Sequence, residues 1–293
     1  MTVVPRPGQV YSVFADLYTH KLGENKMRFW RIESPEYDSD YKHTYVNGSL
    51  EHPYGLPGVE CDVCGDTWGG SRILPFECPE SFRHHEKINN RWPISRAEHE
   101  ALQKELMAIL PIQGNPFFGL RPGDDFQPCF LDVPSRPRAD FLWSSIGSLL
   151  VSERIKNALV EFCPSDIAVC PVTSRKIGKR EAKLPPPIPS TGEPEDMIDE
   201  VPILRDTSEI APYFEVLILK ESEYPPGGTP TRVCPGCRRP DVDSSTRVLR
   251  MTPEMWKGHN IFFLATTLYV VITDKLRERL VRHRPTNVFF EAI

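Results

Sequence analysis

The chain has 293 residues, of which 40% are hydrophobic and 26% charged, and its formal net charge is −5. That is enough apolar material for one large domain or two modest ones. The acidic balance argues against a general nucleic-acid surface, which carries clustered Lys and Arg.

The first residues, "MTVVPRPGQVYSVF", hold two early prolines and no apolar core of a signal peptide, so a cytoplasmic location is expected. "MRFWRIE" (Met27 to Glu33) is strand-like and leads through a Pro/Gly-rich stretch to "CDVCGDTW", where Cys61 and Cys64 form a Cys-x-x-Cys pair followed by Gly65. "ECPESFRHHEK" follows. Its Cys78, His84 and His85 read either as a second ligand set or as a solvated loop, the loop being the better reading. "SRAEHEALQKELMAIL" is a helix opened by a capping box, Ser95 with Glu98, and carries Ala101, Leu102, Leu106 and Ile109 on one face. "NPFFGLRPGDDF" is rich in turn formers, and the adjacent carboxylates of "GDDF" (Gly123 to Phe126) read as a solvated turn.

"LLVSERIKNALVEFCPSDIAVCPV" (Leu149 to Val172) then aligns without a gap to "VVITDKLRERLVRHRPTNVFFEAI" (Val270 to Ile293). In each, an apolar strand ends at Ser152 or Thr273, suited to an N-cap, and an acid follows in the first helical turn, Glu153 or Asp274. Helical spacing continues through Ile155, Ala158, Leu159 and Phe162. Pro164 or Pro285 stops the helix, and a second strand begins near Ile167 or Val288. Between the copies, "KLPPPIPSTGEPEDMIDEVP" (Lys183 to Pro202) is a proline-rich acidic linker. "YFEVLILK" (Tyr213 to Lys220) is a strand that precedes a second pair, Cys234 and Cys237 in "VCPGCRRP". "IFFLATTLYVVI" (Ile261 to Ile272) is far short of the roughly 20 residues of a membrane span and reads as buried strand.

The order strand, cysteine pair, strand–helix–strand thus occurs twice. The expected fold is α+β, with two related lobes joined by a zinc-ribbon-like four-cysteine site. Residues 1–182 form an N-terminal lobe with a helical insertion, 183–203 a linker and 204–293 a C-terminal lobe.

Thiolates of Cys61, Cys64, Cys234 and Cys237 suit one tetrahedral Zn2+ per chain, and four protein ligands leave no open position, so such a metal is structural. Cys129, Cys163 and Cys170 lie in or near apolar segments and read as small core residues. No phosphate-cradling glycine loop, Gly-x-Ser-x-Gly elbow or His-Glu-x-x-His is present, and His259 reads as structural, so no catalytic residue is assigned.

The two knuckles, one as "CDVCGDTW", and the "LLVSERIKNAL" element resemble the double-CXXCG motif family of myxobacterial proteins. The second motif departs from that pattern, with Arg238 where the family name has Gly. The resemblance implies a non-catalytic immunity protein of the swarming-inhibition toxin systems, binding a cognate protein toxin in its own cell, with no membrane partner. An acidic surface suits a basic toxin. Variable loops are the natural place for such contacts, "GDDF" and "GEPEDMIDE" (Gly192 to Glu200) being the candidates. The alternative is a zinc-ribbon nucleic-acid-binding or regulatory protein, for which "RVCPGCRRP" offers a small basic cluster.

Overall fold

A computed structural model describes residues 27–35, 49–70, 72–90, 92–110, 120–133, 139–143, 149–177, 205–206, 211–224, 232–236, 240–241, 250–265 and 267–293. The linker 183–203, with the "GEPEDMIDE" segment inside it, lies outside the described residues, as does Cys237.

The described elements run β1 (Phe29–Glu33), β2 (Ser49–Glu51), β3 (Val59–Glu60), β4 (Thr67–Trp68), β5 (Ile73–Glu77), α1 (Glu86–Asn90), β6 (Ile94–Ser95), α2 (Arg96–Ile109), β7 (Asp125–Gln127), β8 (Cys129–Val133) and β9 (Phe141–Trp143). They continue with β10 (Leu149–Ser152), α3 (Glu153–Phe162), β11 (Ile167–Ile177), β12 (Arg205–Asp206), β13 (Tyr213–Ile218), β14 (Arg232–Val233), β15 (Pro240–Asp241), β16 (Ile261–Phe263), β17 (Val270–Thr273), α4 (Asp274–Arg282) and β18 (Phe289–Ala292). The protein is mixed α+β and mostly strands. Among the described residues no helix is long and apolar enough to cross a membrane.

Both strand–helix–strand units form where the repeat places them, as β10–α3–β11 and β17–α4–β18. In each, the two strands are not neighbours; a third strand lies between them, antiparallel to both. That central strand is β13 in the first unit and β1 in the second. The sheets therefore do not follow the halves of the chain. The strand preceding the first cysteine pair completes the second unit, and the one preceding the second pair completes the first.

The registers of the two sheets correspond residue by residue. Trp30 faces Ile272 and Phe214 faces Val151; Ile32 faces Phe290 and Val216 faces Val169. Outside each unit one more strand is added, β9 on β10 and β16 on β17, giving the matched orders β9-β10-β13-β11 and β16-β17-β1-β18. The apolar run at 261–272 is thus a hairpin of two strands, with Leu264 N–H donating to the Tyr269 carbonyl at its turn. On the far side of β11, β8 pairs in parallel and β2 continues the sheet, while β12 pairs with the end of β11.

One core unites the two units. Matched pairs Leu149 and Val270, Val151 and Ile272, Ile155 and Leu276, Leu159 and Leu280 are all buried in a single cluster, with Ile32 and Val216 from the central strands. Polar clasps close its ends. Asp140 accepts from Ser152 Oγ at 2.8 Å, Arg154 Nη2 at 2.5 Å and Thr286 N at 3.0 Å. Burial opposes the charge of Asp140, but these donors hold its carboxyl below the ordinary range. Because Ser152 is spent on Asp140, it does not cap α3 with its side chain, whereas Thr273 accepts from Leu276 N in α4. Trp143 Nε1 donates to the Asn287 carbonyl at 2.7 Å, and Asn287 Nδ2 donates to that of Phe141 at 2.9 Å.

The segment between β2 and β8 makes a second core around Leu74, Ile88, Leu102, Leu106 and Phe126. α2 has the expected capping box, and hydrogen bonds from Lys87 and then Ser95 hold the Glu98 carboxyl down to about 2. Its buried face is His99, Leu102 and Leu106, rotated from the one expected, so Ala101 and Ile109 are exposed. Burial keeps His99 below its ordinary value, which makes a neutral imidazole an acceptable core group.

Because α3 and α4 share one core, Leu159→Ala and Leu280→Ala should each cost about 2–5 kcal/mol. Each should lower the midpoint of one common unfolding transition in calorimetry. Two separate transitions, only one of them moved by each substitution, would show that the sheets fold independently.

Candidate metal centre

Cys61 and Cys64 lie between the paired strands β3 and β4, and Cys234 follows β14, which pairs with β15. β3 and β4 pair with Val59 opposite Trp68 and Glu60 opposite Thr67; β14 and β15 pair with Arg232 opposite Asp241 and Val233 opposite Pro240. Cys61 and Cys234 each stand one residue past the first strand of their hairpin. In the first loop Gly65 N donates to the Cys61 carbonyl at 2.7 Å, and Cys61 N donates to that of Asp66 at 3.1 Å. Gly65 has φ +72°, a conformation that a side chain disfavours, which explains the glycine after the pair.

The fold brings the two hairpins into contact. The sulfurs of Cys61, Cys64 and Cys234 lie within 4.8 Å of one another, with Cys61 and Cys234 at 3.8 Å. That separation is far beyond the S–S bond of about 2.05 Å. A tetrahedral thiolate site with metal–sulfur bonds of about 2.3 Å spaces its sulfurs by roughly 3.8 Å. Three of the four expected ligands are therefore gathered at metal-binding distance. Cys237, the fourth, falls outside the described residues.

Gly236 supplies a second sign of close apposition. A Cβ there would lie 2.6 Å from Val63 Cγ2 and 2.9 Å from Cys61 Sγ, so the second knuckle approaches the first at a position that admits only hydrogen.

Cys61 is buried, which works against its thiolate, yet its pKa is held down to about 6. Hydrogen bonds from the backbone of Cys64 and then Val63 to its sulfur outweigh the desolvation, with smaller help from the Cys64 and Cys234 thiols. Other cysteines behave oppositely. Burial pushes Cys78 up to about 11 and Cys163 and Cys170 up to about 12, and it raises Cys129 as well. These are neutral thiols packed inside the protein.

The remaining sequence candidates resolve differently. Cys78 is buried in the second core, and among the described residues it forms no ligand group with His84 and His85. His85 stacks on Phe82, and its Nδ1 accepts from Lys87 N. His259 Nδ1 lies 3.3 Å from Asp166 Oδ1, and its carbonyl accepts from Trp256 Nε1, as befits a structural residue.

The "GDDF" turn is not solvated. Asp124 is completely buried and pairs with both Nε and Nη2 of Arg72, and it also accepts from Arg121 N at 2.6 Å. Its acidity reflects burial first, which raises the pKa despite the guanidinium. Gly123, at φ +79°, packs against Gly70, where a Cβ would meet the Gly70 carbonyl oxygen at 2.3 Å. The sequence gives no hint of Arg72 as the partner of Asp124, which is why the residue reads there as a surface acid. Buried and paired within the chain, Asp124 does not face a partner, which corrects the expectation for this turn.

Comparison with protein-family models, curated proteins and solved structures returned no match for this chain.

Cys61→Ser and Cys234→Ser should each drop zinc from about one equivalent at this centre to nearly none and lower the unfolding temperature, read by elemental analysis and calorimetry. Gly236→Ala should weaken zinc retention against a chelator by pushing the knuckles apart. In metal-free protein, thiolate absorbance at 240 nm should show one group titrating near pH 6 that Cys61→Ser removes. The Cys61 pKa is lower folded than the ordinary value of 9.0. Its contribution to stability is therefore full above that value and is lost as pH falls through about 6.

Proposed function

We propose that the protein is a non-catalytic immunity protein whose zinc-bound knuckles hold its binding surface in shape, and that it neutralises a cognate protein toxin in the cytoplasm of the producing cell. The observation that carries the reading is the convergence of Cys61, Cys64 and Cys234 on one point. With Cys237 as the fourth ligand, Zn2+ would be enclosed by thiolates with no position for substrate or water. Its role would be to fasten two hairpins that belong to distant stretches of chain. A protein built around such a fastening suits a rigid recognition surface better than a reaction site. The "CDVCGDTW" knuckle and the "LLVSERIKNAL" element supply the likeness to immunity proteins. The net charge of −5 suits a basic toxin.

The test is co-expression with the protein encoded immediately upstream. Growth should be arrested by that protein alone and restored by co-expression, with the two proteins purifying as a stoichiometric complex. Cys61→Ser should abolish protection in step with zinc loss. Failure to protect or to form a complex, together with nucleic-acid binding that collapses as salt rises, would replace this reading with a zinc-ribbon regulator.

A further inference from the structure

The matched registers expose a charge present in one sheet and missing from the other. In the sheet of β1, Arg31 stands opposite Glu291, and Arg31 Nη2 pairs with its carboxylate at 2.5 Å. At the corresponding place in the sheet of β13, Glu215 stands opposite Cys170. Glu215 is completely buried, and among the described residues no Lys or Arg pairs with it. The nearby guanidinium of Arg175 is taken by Asp132 at 2.6 Å and by Glu51 at 2.5 Å.

What surrounds Glu215 is a set of donor atoms suited to a metal. His52 Nε2 lies 3.0 Å from Glu215 Oε2, and the His52, Cys129 and Glu215 ligand atoms lie within 4.8 Å of one another. Zinc bonds of about 2.0–2.2 Å to nitrogen and oxygen place two such atoms on the order of 3.3 Å apart in a tetrahedron. Gln127 Nε2 donates to Glu215 Oε2 at 3.1 Å, which holds the carboxylate in place. Glu215 Oε1 and Gln127 Oε1 are both buried without a hydrogen-bond partner. Two buried acceptors, beside an imidazole and a thiol, suit a cation.

We infer that His52, Cys129 and Glu215 form a second, buried site for a divalent metal of the zinc class, separate from the knuckle centre. Binding joins the metal to the Cys129 sulfur and releases the thiol proton to solvent, leaving carboxylate and thiolate to balance the dication. The metal would tie the chain after β2, the junction of β7 and β8, and the middle of β13 into one unit. A His52–Glu215 hydrogen bond alone is the competing account, but it leaves both oxygens unsatisfied.

The experiment is Zn2+ and Co2+ stoichiometry on the full chain. Wild type should bind about two equivalents. Cys129→Ser should bind about one and still unfold cooperatively, and Glu215→Gln should do the same. Cys61→Ser/Cys64→Ser should keep one equivalent, whose Co2+ spectrum carries the thiolate charge-transfer band of a single sulfur. Equal stoichiometry in wild type and Cys129→Ser overturns the inference, whatever the total. The wild-type and Cys129→Ser comparison decides the matter even if the knuckle variant does not fold. Loss of the knuckle metal alone would count against the other centre, so the two failures are distinguishable.

Discussion

A strand–helix–strand unit whose strands are not neighbours leaves a slot one strand wide, lined on both sides by backbone N–H and C=O groups. The rest of this structure depends on filling it. Burying an unpaired strand edge forfeits hydrogen bonds along its whole length, so neither β10–α3–β11 nor β17–α4–β18 is complete alone. The first slot is closed by β13, and the second, at the C-terminal end, by β1 from near the start of the chain.

The shared core follows from the same constraint. Ile32 and Val216 enter it only because their strands occupy the two slots, and α3 then packs beside α4 with the matched residues Leu159 and Leu280 buried together. The charged clasps at Asp140 and Asp166 reach across the same boundary, Asp166 accepting from Asn260 N at 2.8 Å. Neither clasp is an exposed ion pair of small value: the aspartate is buried in each, and several donors converge on Asp140.

Much of this was legible in residue pattern. Helical spacing from Ile155 to Phe162 and the Ser/Thr–acid start of both helices marked the repeat. Two Cys-x-x-Cys pairs in equivalent order pointed to one cluster, three of whose members are seen together. Partner choice was hidden, because the period-two pattern of a strand shows which face is buried and nothing about which neighbour fills its edge. The same limit hid the hairpin within 261–272, where continuous apolarity masked a turn. The buried face of α2 includes His99, a residue that an apolar pattern does not mark, and excludes Ala101 and Ile109. The His52, Cys129 and Glu215 group carries no spacing signature at all, since its members come from three separate segments.

The cysteines show how environment rather than residue type decides chemistry. Cys61 and Cys163 are both buried, yet burial alone raises a thiol, and Cys163 follows that rule in a helix-end site where its sulfur donates to the Leu159 carbonyl. Cys61 sits in a turn whose peptide N–H groups point at sulfur, so the charged form is the solvated one. A lone thiolate in contact with another sulfur at 3.8 Å is repelled as soon as that neighbour ionises. Turn geometry therefore prepares one negative charge, and bringing the other sulfurs to the same state needs a cation between them. Two hairpins held this close at Gly236 would be stable as thiolates only with a cation to offset their charge, so on the zinc reading proposed above the local fold and metal binding would be one process.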